Sequence, residues 1–359
     1  MTGPQATPAA RGNNGLARPT GSVSAVIVTF KEVDLTLAAI ASLKAQTVPI
    51  EQIIVVDNDP EFSARAPLAA AHSDVRLLNA DNVGYAPACN LGAAVATGDW
   101  LFFLNPDAEA DPDCVQRLLE TAAEHPAAGI VTPQILFPDR ERINAGENEI
   151  HLTGVAWCGR YEQPPETGPA RDVLITTGAA MLVRRSLYEQ LDGYCDDFFL
   201  YYEDPDICIR AWLVGSEVWY VPRAIVIHHY SFGTSKTKYF YLERHRLLSL
   251  LSTWQASTLA ILAPLLTATE VGLLLVAWRE RWLPQKLRAY RSVWTSRGWI
   301  GARRRRLAAM RRRPDAAIIG RFQATVDSPQ IESTIATRVR PILIAYHRVA
   351  IAVVHMLAR

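Results

Sequence analysis

Three carboxylates, Glu203, Asp204 and Asp206, crowd into Tyr201-Tyr202-Glu203-Asp204-Pro205-Asp206, directly after the aromatic pair Phe198-Phe199. A carboxylate at a helix start beside an aromatic wall suits general-base work, because its environment can tune its proton affinity. Pro205 fits the first helical position, which makes Asp204 the expected N-cap. Ile207, Ile209, Trp212 and Leu213 then supply an apolar helical face. A helix N-terminus favours the ionised carboxylate and so weakens a base, while neighbouring carboxylates oppose ionisation. The sequence leaves that balance open. Read alone, the segment is equally a capped helix of an ordinary domain. Two further acidic points lie upstream. Asp57 could accept hydrogen bonds from a base N–H or a ribose hydroxyl, and Asp107 could hold a divalent ion against a diphosphate.

The elements that must position these groups alternate between strand and helix. Ser24–Phe30 is nearly all apolar and β-branched, as in a strand buried on both faces. Asp34 can cap a following helix through Leu35, Leu37, Ile40 and Leu43. Ile53–Val56 is a second buried strand that ends at Asp57, and Val75–Leu78 a third. Asn82-Val83-Gly84-Tyr85 reads as a turn before an Ala-rich helix from about Pro87 to Ala96. Trp100–Leu104 is a fourth strand ending at Asn105-Pro106-Asp107. This alternation predicts an α/β domain with a mainly parallel sheet. Ligands of such sheets bind at the carboxyl ends of the strands, where Phe30, Asp57 and Asp107 all fall. Glu217–Ile227 is a further strand, whose period of two would turn His228 and His229 to opposite faces. Gly178-Ala179-Ala180 is either a place where backbone approaches a ligand closely or a small-residue packing site. Neither a Gly-x-x-x-x-Gly-Lys loop nor a Gly-x-Gly-x-x-Gly after the first strand is present, which argues against a P-loop ATPase or a dinucleotide oxidoreductase.

Assembled in order, these residues resemble family 2 glycosyltransferases of the GT-A fold, closest to the rhamnosyltransferase-like branch of bacterial polysaccharide synthesis. The resemblance covers about residues 22–250. It rests on Val26-Ile27-Val28-Thr29-Phe30, Val56-Asp57-Asn58, Asn82-Val83-Gly84-Tyr85 with Asn90, and Phe103-Leu104-Asn105-Pro106-Asp107. It continues through Thr177–Met181, Glu203–Asp206, His228-His229-Tyr230-Ser231-Phe232 and Tyr241-Leu242-Glu243-Arg244. The resemblance implies that Thr29, Phe30 and Asp57 hold the nucleoside base. It implies that Asn82, Gly84, Asn105, Gly178 and Ala179 line the nucleotide-sugar pocket. Asp107 and His228 would be the metal side, with Mg²⁺ or Mn²⁺ as cofactor, and Asp204 the base with Glu203 beside it. Asn105 stands where the family's Asp-x-Asp motif has its first Asp, leaving one carboxylate fewer for the metal. His245 follows Arg244 where the family pattern has Asn. The implied reaction is an inverting transfer from a nucleotide-diphosphate sugar to a lipid-linked glycan.

The tail reads as a different object. Leu247–Trp278 is a long apolar run interrupted by Glu270 and Pro264, longer than the roughly 20 residues that cross a bilayer; Pro264 could break it into a hairpin. Residues 279–313 then hold 13 Lys or Arg against one acid, Glu280, while the whole chain is only +1. Trp278, Trp282, Trp294 and Trp299 sit among these cations, the composition of a membrane–water interface. Ile342–Leu357 carries His347, Arg348 and His355 and reads as amphipathic. Arginines flanking such a segment place it at the cytoplasmic face of the membrane. The expected partners are the sugar donor, a lipid-linked acceptor and the membrane surface, with no nucleic acid.

The domain organisation expected is a disordered 1–20, a transferase domain over 21–246, and a helical, basic, membrane-associated region over 247–359. Residues 1–20 lack the apolar core of a signal peptide, which argues against export. The five cysteines show no metal spacing and read as free thiols. Residues 138–172 are loop-rich and read as an insertion shaping the pocket. Two rival readings stay open. A nucleotidyltransferase would need a Lys/Arg-rich loop after the first strand, where this chain has Lys31-Glu32. A non-catalytic membrane scaffold would not need Asp57, Asp107, Glu203 and Asp204.

Overall fold

The computed structural model describes residues 21–230, 236–327 and 334–358. The expected disordered N-terminus and Ser231-Phe232 lie outside the described residues. The first half runs β1 (Val23–Thr29), α1 (Val33–Lys44), β2 (Gln52–Asp57), α2 (Arg65–Ala71), β3 (Arg76–Asn79), α3 (Tyr85–Ala94) and β4 (Trp100–Leu104). It continues through β5 (Ala108–Ala110), α4 (Cys114–Glu124), β6 (Ala128–Leu136), β7 (Ile143–Ala145), β8 (Glu147–Ile150), β9 (Ala156–Cys158), β10 (Arg171–Asp172) and β11 (Ile175–Thr176). Then come β12 (Ala180–Arg184), α5 (Arg185–Gln190), α6 (Glu203–Leu213) and β13 (Glu217–His228). The tail is α7 (Lys236–Thr253), α8 (Ala256–Arg279), α9 (Leu283–Thr295), α10 (Arg297–Met310), α11 (Ala316–Ile319) and α12 (Thr334–Leu357).

The main sheet has the order β10-β13-β6-β12-β4-β1-β2-β3. Its β4-β1-β2-β3 half is parallel, with Thr29 beside Asp57 and Val26 beside Phe103. All of β1 and β4 is buried, which is why both read as unbroken apolar runs. The other half is mixed, because β12 runs antiparallel to both β4 and β6. The sheet is therefore less uniformly parallel than the sequence implies. Short antiparallel strands carry no crossover helix and leave little periodic signal. The 138–172 insertion supplies β7 and, with β11, a second sheet of order β11-β8-β9. All five cysteines are free.

Several local expectations shift. α1 begins at Val33 with Asp34 inside its first turn and no side-chain cap. α3 begins at Tyr85, two residues before the expected start, because Gly84 at φ 99° turns the chain directly into the helix. α6 begins at Glu203 after Tyr202 at φ 76°, so Asp204 lies inside the helix and is not its N-cap. α7 passes through residues 246 and 247 without a break, so the expected domain edge there is not a linker. The apolar run 247–278 divides at Trp254-Gln255, and Pro264 sits within a continuous α8. Proline in a helix is tolerated when its freed carbonyl has another outlet, so the composition alone misplaces the break.

Gly84 is the tightest backbone approach at the site edge. A Cβ there would stand 2.5 Å from the Phe199 carbonyl oxygen, which already accepts the Tyr85 N–H at 2.6 Å. Gly84→Ala is expected to cost on the order of 2–3 kcal/mol through combined strain and clash. A thermal or urea unfolding midpoint clearly below wild type would register it.

Candidate active site

The parallel half of the sheet delivers three groups to one edge. Asp57 ends β2 and is 1% exposed. Its Oδ1 accepts the Asp59 N–H at 3.2 Å, while Oδ2 has no hydrogen-bond partner among the described residues. A buried, unpartnered carboxylate oxygen calls for an explanation, and a ligand N–H or hydroxyl would supply one. Burial pushes the Asp57 carboxyl up, against hydrogen bonds from backbone N–H groups. Phe30, one residue past β1, is 43% exposed. Thr29 does not join them. It is fully buried and its hydroxyl accepts from Thr36 at 2.8 Å, so it braces α1 against the sheet.

The turn before α3 is clamped from below. Asn58 donates to the Gly84 carbonyl at 3.3 Å and accepts from the Val83 N–H at 3.0 Å. Asn82 sits in this turn at φ 49°, a conformation asparagine tolerates, with its side chain exposed. Tyr85 follows, and its hydroxyl donates to Asn105 Oδ1 at 2.9 Å and lies 3.4 Å from the Gly178 carbonyl.

The segment after β4 meets the end of β13. His228 Nε2 stands 3.2 Å from Asp107 Oδ1 and 3.4 Å from Asn105 Nδ2. Its Nδ1 faces Asn144 Oδ1 at 3.1 Å, while the Asn144 amide nitrogen donates to the Tyr230 carbonyl. With the proton on Nδ1, donated to Asn144, Nε2 presents a lone pair beside the Asp107 carboxylate. Two acceptors facing one another suit a cation between them. One carboxylate, one imidazole and one amide form a partial hard-to-borderline set that a diphosphate would complete. Among the described residues no group of three or more His, Cys, Asp or Glu forms a closed metal cage. Glu32 stands near enough for Asp107 to add to the desolvation that pushes its carboxyl up. His229 turns away, as expected, and pairs with Glu109 at 2.8 Å.

Gly178 and Ala179 join this arm to α6. The Ala179 carbonyl accepts the Asn105 N–H at 2.9 Å, and the Gly178 N–H donates to Asp204 Oδ2 at 3.0 Å. A Cβ on Gly178 would come within 3.4 Å of the Asp204 side chain. The small residues thus serve close packing against Asp204. Asp204 is half-buried, and its carboxyl is pushed up to about 6 by burial, against the Gly178 hydrogen bond. Glu203 is buried behind it, with Oε2 unpartnered, and rises further, chiefly through burial and then through the Asp204 charge. Desolvation therefore outweighs the helix N-terminus. Asp206 goes the other way. Burial raises it, but Arg303 and Arg210 overcome that and hold it at about 2.

Asn144 and Tyr85 were not legible as site residues. Asn144 comes from the insertion, where nothing in the sequence marks it. Tyr85 belongs to the Asn82–Tyr85 motif but carries no chemistry until its hydroxyl is seen on Asn105. β9 also brings half-buried Cys158 near Asp204; burial first and then the Asp204 charge push its thiol up to about 12.

The mixed α/β sheet, with acidic and imidazole groups at the carboxyl ends of β2, β4 and β13, has the architecture of the GT-A fold. Residues 24–192 match the family described as Glycosyl transferase family 2. That span is just under half of the 359-residue chain. It is 28% identical over 231 residues to the N-acetylglucosaminyl-diphospho-decaprenol L-rhamnosyltransferase of Mycobacterium tuberculosis, covering 57% of this chain and 75% of the relative. It is 32% identical over 230 residues to the O-antigen biosynthesis protein RfbC of Myxococcus xanthus, covering 60% of this chain but 18% of that protein. The structure of GalNAc-T7 with UDP, GalNAc and Mn²⁺ superposes with a TM-score of 0.53 at 15% identity, over 66% of this chain and 48% of that one, and supports the fold.

Because the Glu203 carboxyl is raised, the folded chain keeps a proton that the unfolded chain releases at the ordinary value of 4.5. Stability from this group is therefore lost as pH rises from that value to about 8. Glu203→Gln should raise the melting midpoint near pH 8, with the gain vanishing near pH 4.5. Paired melting curves at the two pH values check this.

Proposed function

We propose that this chain is a glycosyltransferase that moves a sugar, rhamnose being the first to test, from a nucleotide diphosphate onto a lipid-linked glycan with inversion at the anomeric carbon. The work is assigned to the cytoplasmic face of the membrane. The observation that carries the reading is Asp204, a half-buried carboxylate raised towards neutrality and tied through Gly178 and Ala179 to the Asn105–Asp107–His228 arm. The lipid-linked acceptor and the rhamnose donor are suggested by the mycobacterial relative's name.

In this reading Phe30 and Asp57 take the nucleoside at the exposed edge of β1 and β2. Asp204 Oδ2 is held by Gly178, which leaves Oδ1 to receive the acceptor hydroxyl proton. The acceptor oxygen bonds to the anomeric carbon as the carbon–oxygen bond to the diphosphate breaks, and the electron pair leaves with the nucleoside diphosphate. Glu203, buried and proton-bearing at neutral pH, adds no second charge to repel that departing group. Asp107 and His228, with Asn105 beside them, would hold Mg²⁺ or Mn²⁺. When bound, such an ion supplies Lewis-acid stabilisation of the charge growing on the diphosphate. Asn144 fixes the His228 tautomer, the usual office of an outer partner to a ligating imidazole.

The test is nucleoside-diphosphate release by the full chain in detergent, with a panel of donors, Mg²⁺ or Mn²⁺ and a bacterial lipid extract. Turnover of one donor should fall by about 10²–10⁴-fold in Asp204→Asn. The acid limb of kcat/KM should lie near 6, since the base works only when ionised. No turnover with any donor, with no nucleotide binding by calorimetry, would leave the scaffold reading; consumption of a triphosphate with pyrophosphate release would leave the nucleotidyltransferase. Asn144→Ala should weaken Mn²⁺ binding by roughly 10–100-fold, read by electron paramagnetic resonance titration.

A further inference from the structure

α8 has the length and composition to cross a bilayer, with 24 residues and little of its surface covered. At 1.5 Å per residue it spans about 36 Å, against a hydrocarbon core of about 30 Å. Its tertiary contacts do not fit a crossing. Glu270 would lie roughly 21 Å from one end and roughly 13 Å from the other, inside the hydrocarbon. Its Oε1 accepts from Arg246 of α7 at 2.5 Å, and its Oε2 from Lys286 at 2.6 Å and Tyr290 at 2.7 Å, both on α9. Lys286 and Arg246 also pair with Glu243, and Arg246 donates to the Thr153 carbonyl of the transferase domain at 2.8 Å. Seating Glu270 in the bilayer core would carry this whole cluster, and irregular backbone with it, into lipid.

Both ends of α8 also return to the same body. The Gln255 N–H donates to Asp315 at 2.7 Å, and Arg304 donates to the Trp254 carbonyl at 2.7 Å. Beyond the far end the Trp282 ring stacks on Tyr239 of α7 at 4.6 Å. The outward face is nonetheless uncharged from end to end. Ala260, Ala263, Thr267, Val271, Leu275 and Trp278 are exposed at helical spacing, while the helix's one internal charge points inward. α12 lies alongside, its Tyr346 hydroxyl bonded to the Ile261 carbonyl at 2.5 Å, and exposes Ile342, Val349 and Met356 one heptad apart. Exposed cations are close in sequence: Arg279, Arg281, Arg288 (over the Phe240 ring) and Arg291 at and after the end of α8, and Arg340 (3.6 Å from Asp327) and Arg348 on α12. An uncovered apolar face with adjacent arginines matches an anionic lipid surface in both chemistry and charge.

We infer that α8 lies flat in the membrane–water interface with α12 beside it, apolar faces in the acyl boundary and arginines against anionic headgroups, and that α8 does not cross the bilayer. This deepens the membrane-surface part of the proposed function by fixing how the chain sits on it. The lipid acceptor then reaches the site from the plane in which the protein is docked.

The test reads lipid contact and topology, so its outcome is independent of turnover. The full chain should float with phosphatidylglycerol–phosphatidylcholine vesicles, and less with phosphatidylcholine alone or at high salt. Val271→Asp with Leu275→Asp should weaken flotation by roughly tenfold or more while leaving the melting midpoint unchanged, since both side chains are exposed. Ser257→Cys and Glu280→Cys, each in a chain with Cys158→Ser and Cys195→Ser, bracket α8. An impermeant maleimide should label both in inverted membrane vesicles and neither in spheroplasts. Labelling from opposite faces, labelling of neither end until detergent is added, or failure of the wild-type chain to float would overturn the inference.

Discussion

The fold turns on one buried carboxylate that is fully paired. Asp206, with no exposed surface, accepts from Arg210 at 2.8 Å on its own helix, from Arg303 of α10 at 2.6 Å, and from Ser249 of α7 at 3.0 Å. Arg210 also reaches the carbonyls of Leu191 and Gly193 in the loop leading back towards the site. A charge buried this deeply is tolerated only when partnered and hydrogen-bonded on every side. The requirement fixes α6 between the sheet and the helical tail. The tail is thereby part of what holds the catalytic helix, and its basic composition is not only a surface property.

Three carboxylates within one helical turn reach three different electrostatic ends. Asp206 has arginines and stays ionised. Glu203 is buried with no arginine on it among the described residues, with Tyr85 and Cys89 close by and the Asp204 charge beside it, and holds its proton. Asp204 lies between, half-buried, with one backbone N–H. Burial without a cation raises a carboxyl and burial with one lowers it. The neighbours decide which, and a run of acids in sequence does not announce them. The separation resembles other sites in which adjacent carboxyls divide acid and base duties.

The tail follows the same rule. Glu243, Arg246, Glu270 and Lys286 come from three helices and neutralise one another away from water. In sequence Glu270 is a blemish in an apolar run, and in the fold it is the point that ties α8 to its neighbours. Glu270 faces the protein along with Leu262, Leu265 and Ala277, while Val271, Leu275 and Trp278 face outward.

Much of the site was legible because buried parallel strands leave unbroken apolar runs, and their carboxyl ends can be counted off. Asp57 and Asp107 were placed that way, while His228 and Gly84 were singled out by the family resemblance. The sequence by itself determined which segments of the nucleotide half are strands and which side chains end them, since both follow from local periodicity; their order β4-β1-β2-β3 does not. Other matters needed the chain folded. Asn144 reaches His228 across 84 residues, Thr29 spends its hydroxyl on Thr36, and the apolar run breaks at Trp254 and not at Pro264. Only tertiary structure decided which carboxylate keeps its proton and how the long apolar helix is anchored. Desolvation and charge pairing are set by neighbours distant in sequence, and no local pattern encodes them.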